Sequence, residues 1–236
     1  MNKGVLYMIP CPIGEVNDPY DVLPAANREI IGSLDYFIVE NIRSARRFLA
    51  RAGAGKPIDS LRFGVLDEHT RPEEAEALLQ PLLGGVSAGM ISEAGVPGVA
   101  DPGAMIAGLC HRHGVRVKPL VGPSSILLAL MASGLNGQSF AVNGYLPVKP
   151  PERARALKFF ERRARSDRQS QIFIEAPYRN MKLLEQILSV CSPETLLTVA
   201  ADISSPAEYI LTRSVGEWRS APLPDIARRP AIFILQ

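Results

Sequence analysis

Residues 86–114 read VSAGMISEAGVPGVADPGAMIAGLCHRHG. The apolar run over 86–92 predicts a buried strand. The segment 101–114 predicts a helix, with Asp101 as N-cap, Pro102 at the first helical position and Gly114 as the stop. The stretch from 90 to 103 puts three glycines, two prolines and two acids into fourteen residues. Strand, Gly/Pro loop and helix in that order make the repeating unit of an α/β fold, in which ligands bind beyond the carboxyl ends of the strands.

The alternation continues in both directions. GVLYMIP (4–10) and YFIVE (36–40) predict strands, and PAANREIIGSL (24–34), RSARRFLARAG (43–53) and RPEEAEALLQPLLGG (71–85) predict helices. A strand ends near Pro119, VGPSS (121–125) turns the chain, and ILLALMASGL (126–135) opens a helix. That turn is read as a hinge, giving an N-terminal α/β domain over 1–119 and a C-terminal α/β domain over 120–236. In the second half SQIFIEA, LLTVAAD, EYILTR and AIFILQ predict strands, and ERARALKFFERRAR and RNMKLLEQILSV predict helices. The last three strands leave little room for helices between them, so an antiparallel portion is expected. The fold class expected is two α/β domains, with a mainly parallel sheet in the first and a mixed sheet in the second.

Composition narrows the function. No stretch approaches a membrane span, and the N-terminus lacks a signal-peptide pattern, so a soluble, cytoplasmic protein is expected. Cys11, Cys110 and Cys191 form no CxxC pair and read as buried thiols; His69, His111 and His113 do not have metal-ligand spacing, and no metal is expected. Neither G-x-G-x-x-G nor a P-loop occurs, and CPIGEVNDP and EAGVPGVADPG carry acids where a polyphosphate would want none. Such loops suit a ligand that is uncharged or positive there, such as adenosine linked to a sulfonium, although tight turns alone would look the same.

Net charge is +2, so any argument for a polyanion rests on distribution. On a helix, Arg155, Lys158, Arg162 and Arg165 fall in one arc opposite Leu157, Phe160 and Ala164, with Lys149 and Arg153 just before it. Arg43, Arg46, Arg47 and Arg51 form a second cluster. Both read equally as phosphate-tracking surfaces or solvated amphipathic faces. Trp218 reads as packing; Tyr145 and Tyr178 are candidates for base stacking, with packing the stronger alternative.

LYMIPCPIGEVND, VENIRSARRFL, ISEAGVPGVADPG, VGPSS, NGYLPVKPPERARAL and IFIEAPYRN come in the order and at the spacing of the tetrapyrrole methylase family. Across nearly its whole length the chain resembles the branch of that family that methylates a cytidine ribose 2′-hydroxyl in small-subunit ribosomal RNA. The resemblance implies a homodimer of two-domain subunits, with S-adenosylmethionine in a cleft between the domains. Donor contacts carry over onto Pro12, Ile13 and Gly14; onto Ser92, Glu93, Ala94, Gly95, Pro97, Asp101, Pro102 and Gly103; and onto Pro123, Ser124 and Ser125. The acceptor-side motifs depart more. Asn41 and Ile42 stand where the branch usually has Asp and Thr, Tyr178 stands for His, and AADISSPAE replaces a segment with two cations.

Transfer from a sulfonium needs alignment, which supplies about 7–11 kcal/mol, and a base for the hydroxyl proton. Glu40 is the first candidate base, Glu175 the second and Asp101 the third. Each has a structural alternative: pairing with Arg43, pairing with Arg179, and helix capping. Arg43, Arg155, Lys158, Arg162 and Arg179 are expected to face the acceptor. Two other readings stay open: a tetrapyrrole ring carbon as acceptor, and a non-catalytic S-adenosylmethionine sensor or ribosome-associated protein.

Overall fold

A computed structural model describes residues 2–67 and 69–236. Contacts divide the chain into one unit ending at Ser124 and another from Ser125 to Gln236.

In the first unit, strands β1 (Val5–Ile9), β2 (Tyr36–Val39), β3 (Arg62–Val65), β4 (Ala88–Ile91) and β5 (Arg116–Pro119) alternate with helices. The helices are α1 (Ala26–Ser33), α2 (Ile42–Ala52), α3 (Pro72–Leu78), α4 (Gln80–Leu83) and α5 (Gly103–Arg112). The sheet order is β3-β2-β4-β1-β5, and every pairing is parallel. β2 and β4 are buried on both faces, which is why they read as continuous apolar runs. Leu6, Met8, Ile38 and Met90 pack under the α3–α5 layer, whereas Ile9, Phe37, Val39 and Ile91 pack under α1 and α2.

That division has a functional consequence. β1 hands the chain to α1 on one face, while its neighbour β4 hands it to α5 on the other. The crevice between β1 and β4 is therefore the switch point of the sheet, where loops diverge and leave room for a ligand.

The second unit holds α6 (Ser125–Ser133), β6 (Phe140–Tyr145), α7 (Pro150–Asp167), β7 (Ser170–Ile174), α8 (Asn180–Val190), β8 (Leu196–Ala201), β9 (Tyr209–Ser214), α9 (Val215–Arg219) and β10 (Ala231–Leu235). Its order is β6-β7-β10-β8-β9, with β6 parallel to β7 and the remaining pairs antiparallel. Leu157, Phe173, Leu184 and Phe233 lie in its core with Trp218, whose indole N–H donates to the Leu197 carbonyl at 2.9 Å. The sheets are those expected, one parallel and one mixed.

Local differences have local causes. The helix expected over 71–85 breaks at Leu79, because Pro81 has no N–H to continue it and crowds the preceding turn. α5 begins at Gly103, not Pro102, yet the Asp101 carboxylate still accepts its first amide. β3 and β6 are edge strands whose short patterns, each containing a glycine, gave no signal. All three cysteines are buried.

Candidate active site

The loops leaving β1 and β4 are clasped together. Cys11 N–H donates to Gly95 O at 2.8 Å, and Gly95 N–H returns a bond to Cys11 O at 3.1 Å. Gly95 sits at φ +70°, and a methyl group built on it would stand 3.4 Å from Ile13 Cγ2 and 3.6 Å from the Pro123 carbonyl oxygen. One residue thus brings together the three segments that the sequence singled out: Pro12–Gly14, Ser92–Gly103 and Pro123. Ser124 ends the first unit, and Ser125 opens α6 in the second.

Asp101 organises the long loop. Its Oδ1 accepts Gly98 N–H at 2.6 Å and Gly103 N–H at 2.7 Å, while Oδ2 is buried without a partner. Burial raises the Asp101 carboxyl above its ordinary value, and the two backbone bonds and the nearby Ser92 hydroxyl oppose that rise. Between these anchors Ala100 is held at φ +58°, a left-handed conformation that costs an L-residue about 1–2 kcal/mol. Pro97 and Pro102 stiffen the same loop.

A group of acids surrounds the crevice. Glu40 follows β2, and its Oε1 accepts Glu93 N–H at 3.4 Å. Among the described residues it makes no ion pair, and none with Arg43. Its carboxyl is raised by burial first, then by the negative charge of Asp101 and of Glu93, with the Glu93 N–H opposing. The Ser44 hydroxyl donates to Glu93 Oε1, tying the first turn of α2 to this group. Cys11 beneath it is pushed up to about 12 by burial and by the same acids, so it stays a thiol. Asn41 caps α2, its Oδ1 accepting Arg43 N–H at 2.9 Å and Ser44 N–H at 3.3 Å. Asn caps as well as Asp does, so this departure leaves the helix start intact.

Pro12, Ile13, Gly14, Ser92, Glu93 and Ala94 line a cleft of about 730 Å³, with Ser44, Arg47, Phe48 and Arg51 of α2 opposite. Arg43, the cation expected there, is exposed and outside the lining. Arg47 was visible in sequence only as one of a cluster.

In the second unit, Glu175 takes its structural alternative. Its side chain is 0% exposed; Oε1 accepts Ala176 N–H at 2.8 Å and both Arg179 Nε, at 2.8 Å, and Arg179 Nη2, at 2.6 Å. A buried carboxylate already paired with a guanidinium is poorly placed to take a proton, which corrects its expectation as a base. Arg179 also lies over the exposed Tyr178 ring, 5.5 Å from its centroid.

On α7, Arg155, Lys158 and Arg162 line one groove with Ser189 and Val190 of α8. Arg165 faces a different hollow, beside Asn136 and Glu194. Arg153 is buried and bonded to Gln186, so it does not belong to the basic stripe. Lys158 is held at 3.2 Å by Glu161, itself buried against Ser192 N–H and the Thr195 hydroxyl. Among the described residues no cluster of three metal-ligating side chains occurs, and no helix is long and apolar enough to cross a membrane.

No protein-family model matches the chain. Ribosomal RNA small subunit methyltransferase I of Vibrio cholerae is 32% identical over 213 residues, covering 90% of this chain and 69% of that protein. Its Escherichia coli O157:H7 counterpart is 31% identical over 234 residues, covering 99% and 77%. Among solved structures, the methyltransferase CobJ matches with a TM-score of 0.64 at 19% identity, over 99% of this chain and 93% of that one. Uroporphyrin-III C-methyl transferase from Thermus thermophilus, complexed with S-adenyl homocysteine, matches at 0.56 and 18%, over 98% and 97%. Both structural likenesses carry the fold, which is that of the tetrapyrrole methylases. By its identity and coverage against the curated relatives, the chain belongs to the ribosomal RNA small subunit methyltransferase I family.

Proposed function

We propose that this chain transfers a methyl group from S-adenosylmethionine to a ribose 2′-hydroxyl of small-subunit ribosomal RNA, acting as a cytoplasmic homodimer. The observation that carries the reading is the convergence of Ile13, Gly95 and Pro123 on a notch that a single methyl would fill, beside a group of carboxylates. A cradle of close backbone and apolar walls suits an adenosine, and nearby acids suit a positive sulfonium while disfavouring a polyphosphate. Pro12–Gly14, Ser92–Gly103 and Pro123 would hold the donor, with Ser124 and Ser125 following. The donor supplies an electrophilic methyl carbon. The chain's own part is to align the hydroxyl and accept its proton.

Glu40 is the base in this reading. Its raised affinity for a proton makes the ionised form a stronger base than an ordinary carboxylate. Asp101 shapes the donor loop, and Glu175 holds Arg179 in place beside Tyr178. Arg155 and Arg162, exposed on α7 without carboxylate partners among the described residues, suit the phosphates of a polynucleotide better than a single macrocycle. The names of the curated relatives support the same acceptor. The homodimer is supported by edge strand β6, which leaves Phe140 and Val142 exposed.

The test is transfer of labelled methyl from S-adenosylmethionine to purified small ribosomal subunits from cells lacking the gene, with a porphyrin precursor as parallel acceptor. Label mapped to an RNA ribose is the expected result. Label in the porphyrinoid, or donor binding with label in neither, would overturn the reading in favour of a tetrapyrrole enzyme or a non-catalytic sensor.

A further inference from the structure

The cleft beside β1 has a second wall that the donor reading does not use. It is the outer flank of α2, where Ser44, Arg47, Phe48 and Arg51 face the Pro12–Glu15 loop. The arginines of α2 differ in what occupies them. Arg46 pairs with Asp59, and Arg51 donates to the carbonyl oxygens of Val16 and Asn17, pinning that loop to the helix. Arg43 lies outside the lining. Arg47 is exposed and lines the cleft, and its side chain makes no ion pair or hydrogen bond with another described residue.

A guanidinium without a partner among the described residues, over a cleft with mainly apolar walls, is a ready partner for a phosphate, which it grips with two parallel N–H groups. Phe48 lines the same cleft and is only partly buried, so it presents ring surface to an occupant. Bases of unpaired RNA are held in this way, by stacking on an aromatic ring next to a cation on the backbone. Glu15 and Glu93 line the same cleft and would repel a phosphate, so Arg47 is the group that gives one a place there. Ser44 ties this flank to Glu93, so Arg47, Phe48 and Glu93 border one cavity, and the Glu93 N–H in turn donates to Glu40 behind it.

We infer that this flank of α2 is the subsite for the acceptor strand: Arg47 holds the phosphate of a nucleotide next to the one that is methylated, and Phe48 packs against its base or ribose. The inference rests on the methyl-transfer reading above and adds a site to it.

The experiment measures KM for purified small ribosomal subunits lacking the modification, across a salt series, and donor affinity by calorimetry. It compares wild-type protein with Arg47→Glu, Arg47→Ala and Phe48→Ala. Glu and Ala are good helix formers at an exposed position, so α2 should persist, and donor affinity serves as the folding check. The expected result is a KM raised about tenfold or more in Arg47→Glu, with donor affinity within about twofold of wild type. The slope of log KM against log salt should become shallower by about one in Arg47→Ala, the signature of one lost phosphate contact. Phe48→Ala should raise KM as well. Unchanged KM and salt slope in the Arg47 variants, in a wild-type background that methylates the RNA, would overturn the subsite alone. A wild-type protein that binds donor but transfers nothing to the RNA would overturn the parent reading and this one with it.

Discussion

Gly95 offers a substitution in which backbone strain and occupied space can be separated. At φ +70° an L-residue costs about 1–2 kcal/mol. Replacing glycine by alanine also reduces the freedom of the unfolded chain, which returns about 0.4–1 kcal/mol. The net cost of Gly95→Ala is therefore about 1 kcal/mol, and contacts at 3.4 and 3.6 Å add no clash. Gly134 is the matched control: its φ is +71°, and nothing lies within 4 Å of an added methyl. Both alanine variants should lose the same stability in urea unfolding. Only Gly95→Ala fills the notch between Ile13 and Pro123, so only it should weaken S-adenosylmethionine binding in calorimetry, by about tenfold, equivalent to about 1.4 kcal/mol. Gly95→Arg should abolish binding. Unchanged donor affinity in a folded Gly95→Arg protein, or an equal loss in Gly134→Ala, would refute the assignment of these loops to the donor.

Three other outcomes follow from the same geometry. The raised carboxyl of Glu40 means that the folded protein binds its proton more tightly than the unfolded chain does; the stability it adds is complete below the ordinary carboxylate value and lost as pH rises through the raised one. Glu40→Gln should therefore melt above wild type at about pH 8, with the gap closing in acid, while methyl transfer drops about 100-fold or more; a variant that gains no stability, or that keeps its activity, would remove Glu40 from the mechanism. Asp101→Ala strips the acceptor from the Gly98 and Gly103 amides and should cost about 3 kcal/mol in denaturant titration together with donor binding, and a loss below about 1 kcal/mol would mean that water replaces the carboxylate. Ala100→Gly relieves the left-handed strain at φ +58° and should raise stability by about 0.5–1 kcal/mol with donor affinity kept; destabilisation would show that the alanine side chain is needed.

The elements whose expectation held share a local origin. The strand–loop–helix over 86–114 was legible because its apolar run, its glycines and its Asp-Pro start all act within a few residues of one another. The Gly/Pro loops could be singled out as irregular connections for the same reason, and the order of motifs along the chain carried the family. What misled was environment. Arg153 counts with the basic stripe in sequence because it immediately precedes it, but it lies on the buried side of α7 and is held by Gln186 of another helix. Glu175 could be a base or an ion-pair partner of Arg179 in the sequence, and only the fold, which brings Arg179 back over it, decides for the pair. Arg43 and Arg47 cannot be distinguished in sequence, and only the position of the 11–14 loop decides which of them faces the cleft.

The sequence by itself therefore determined the elements, the loop chemistry and the relationship to the family, because helix and strand periodicity and turn preferences are short-range properties of the chain. Tertiary structure decided which loops are neighbours and which charges are available. The order β3-β2-β4-β1-β5 sets residue 11 against residue 95, and that order comes from burying two faces of a parallel sheet under helices distant in sequence. The raised proton affinity of Glu40 has the same origin: packing buries it first, and the sheet then draws the loop carrying Glu93 and Asp101 beside it, where water screens their charges less.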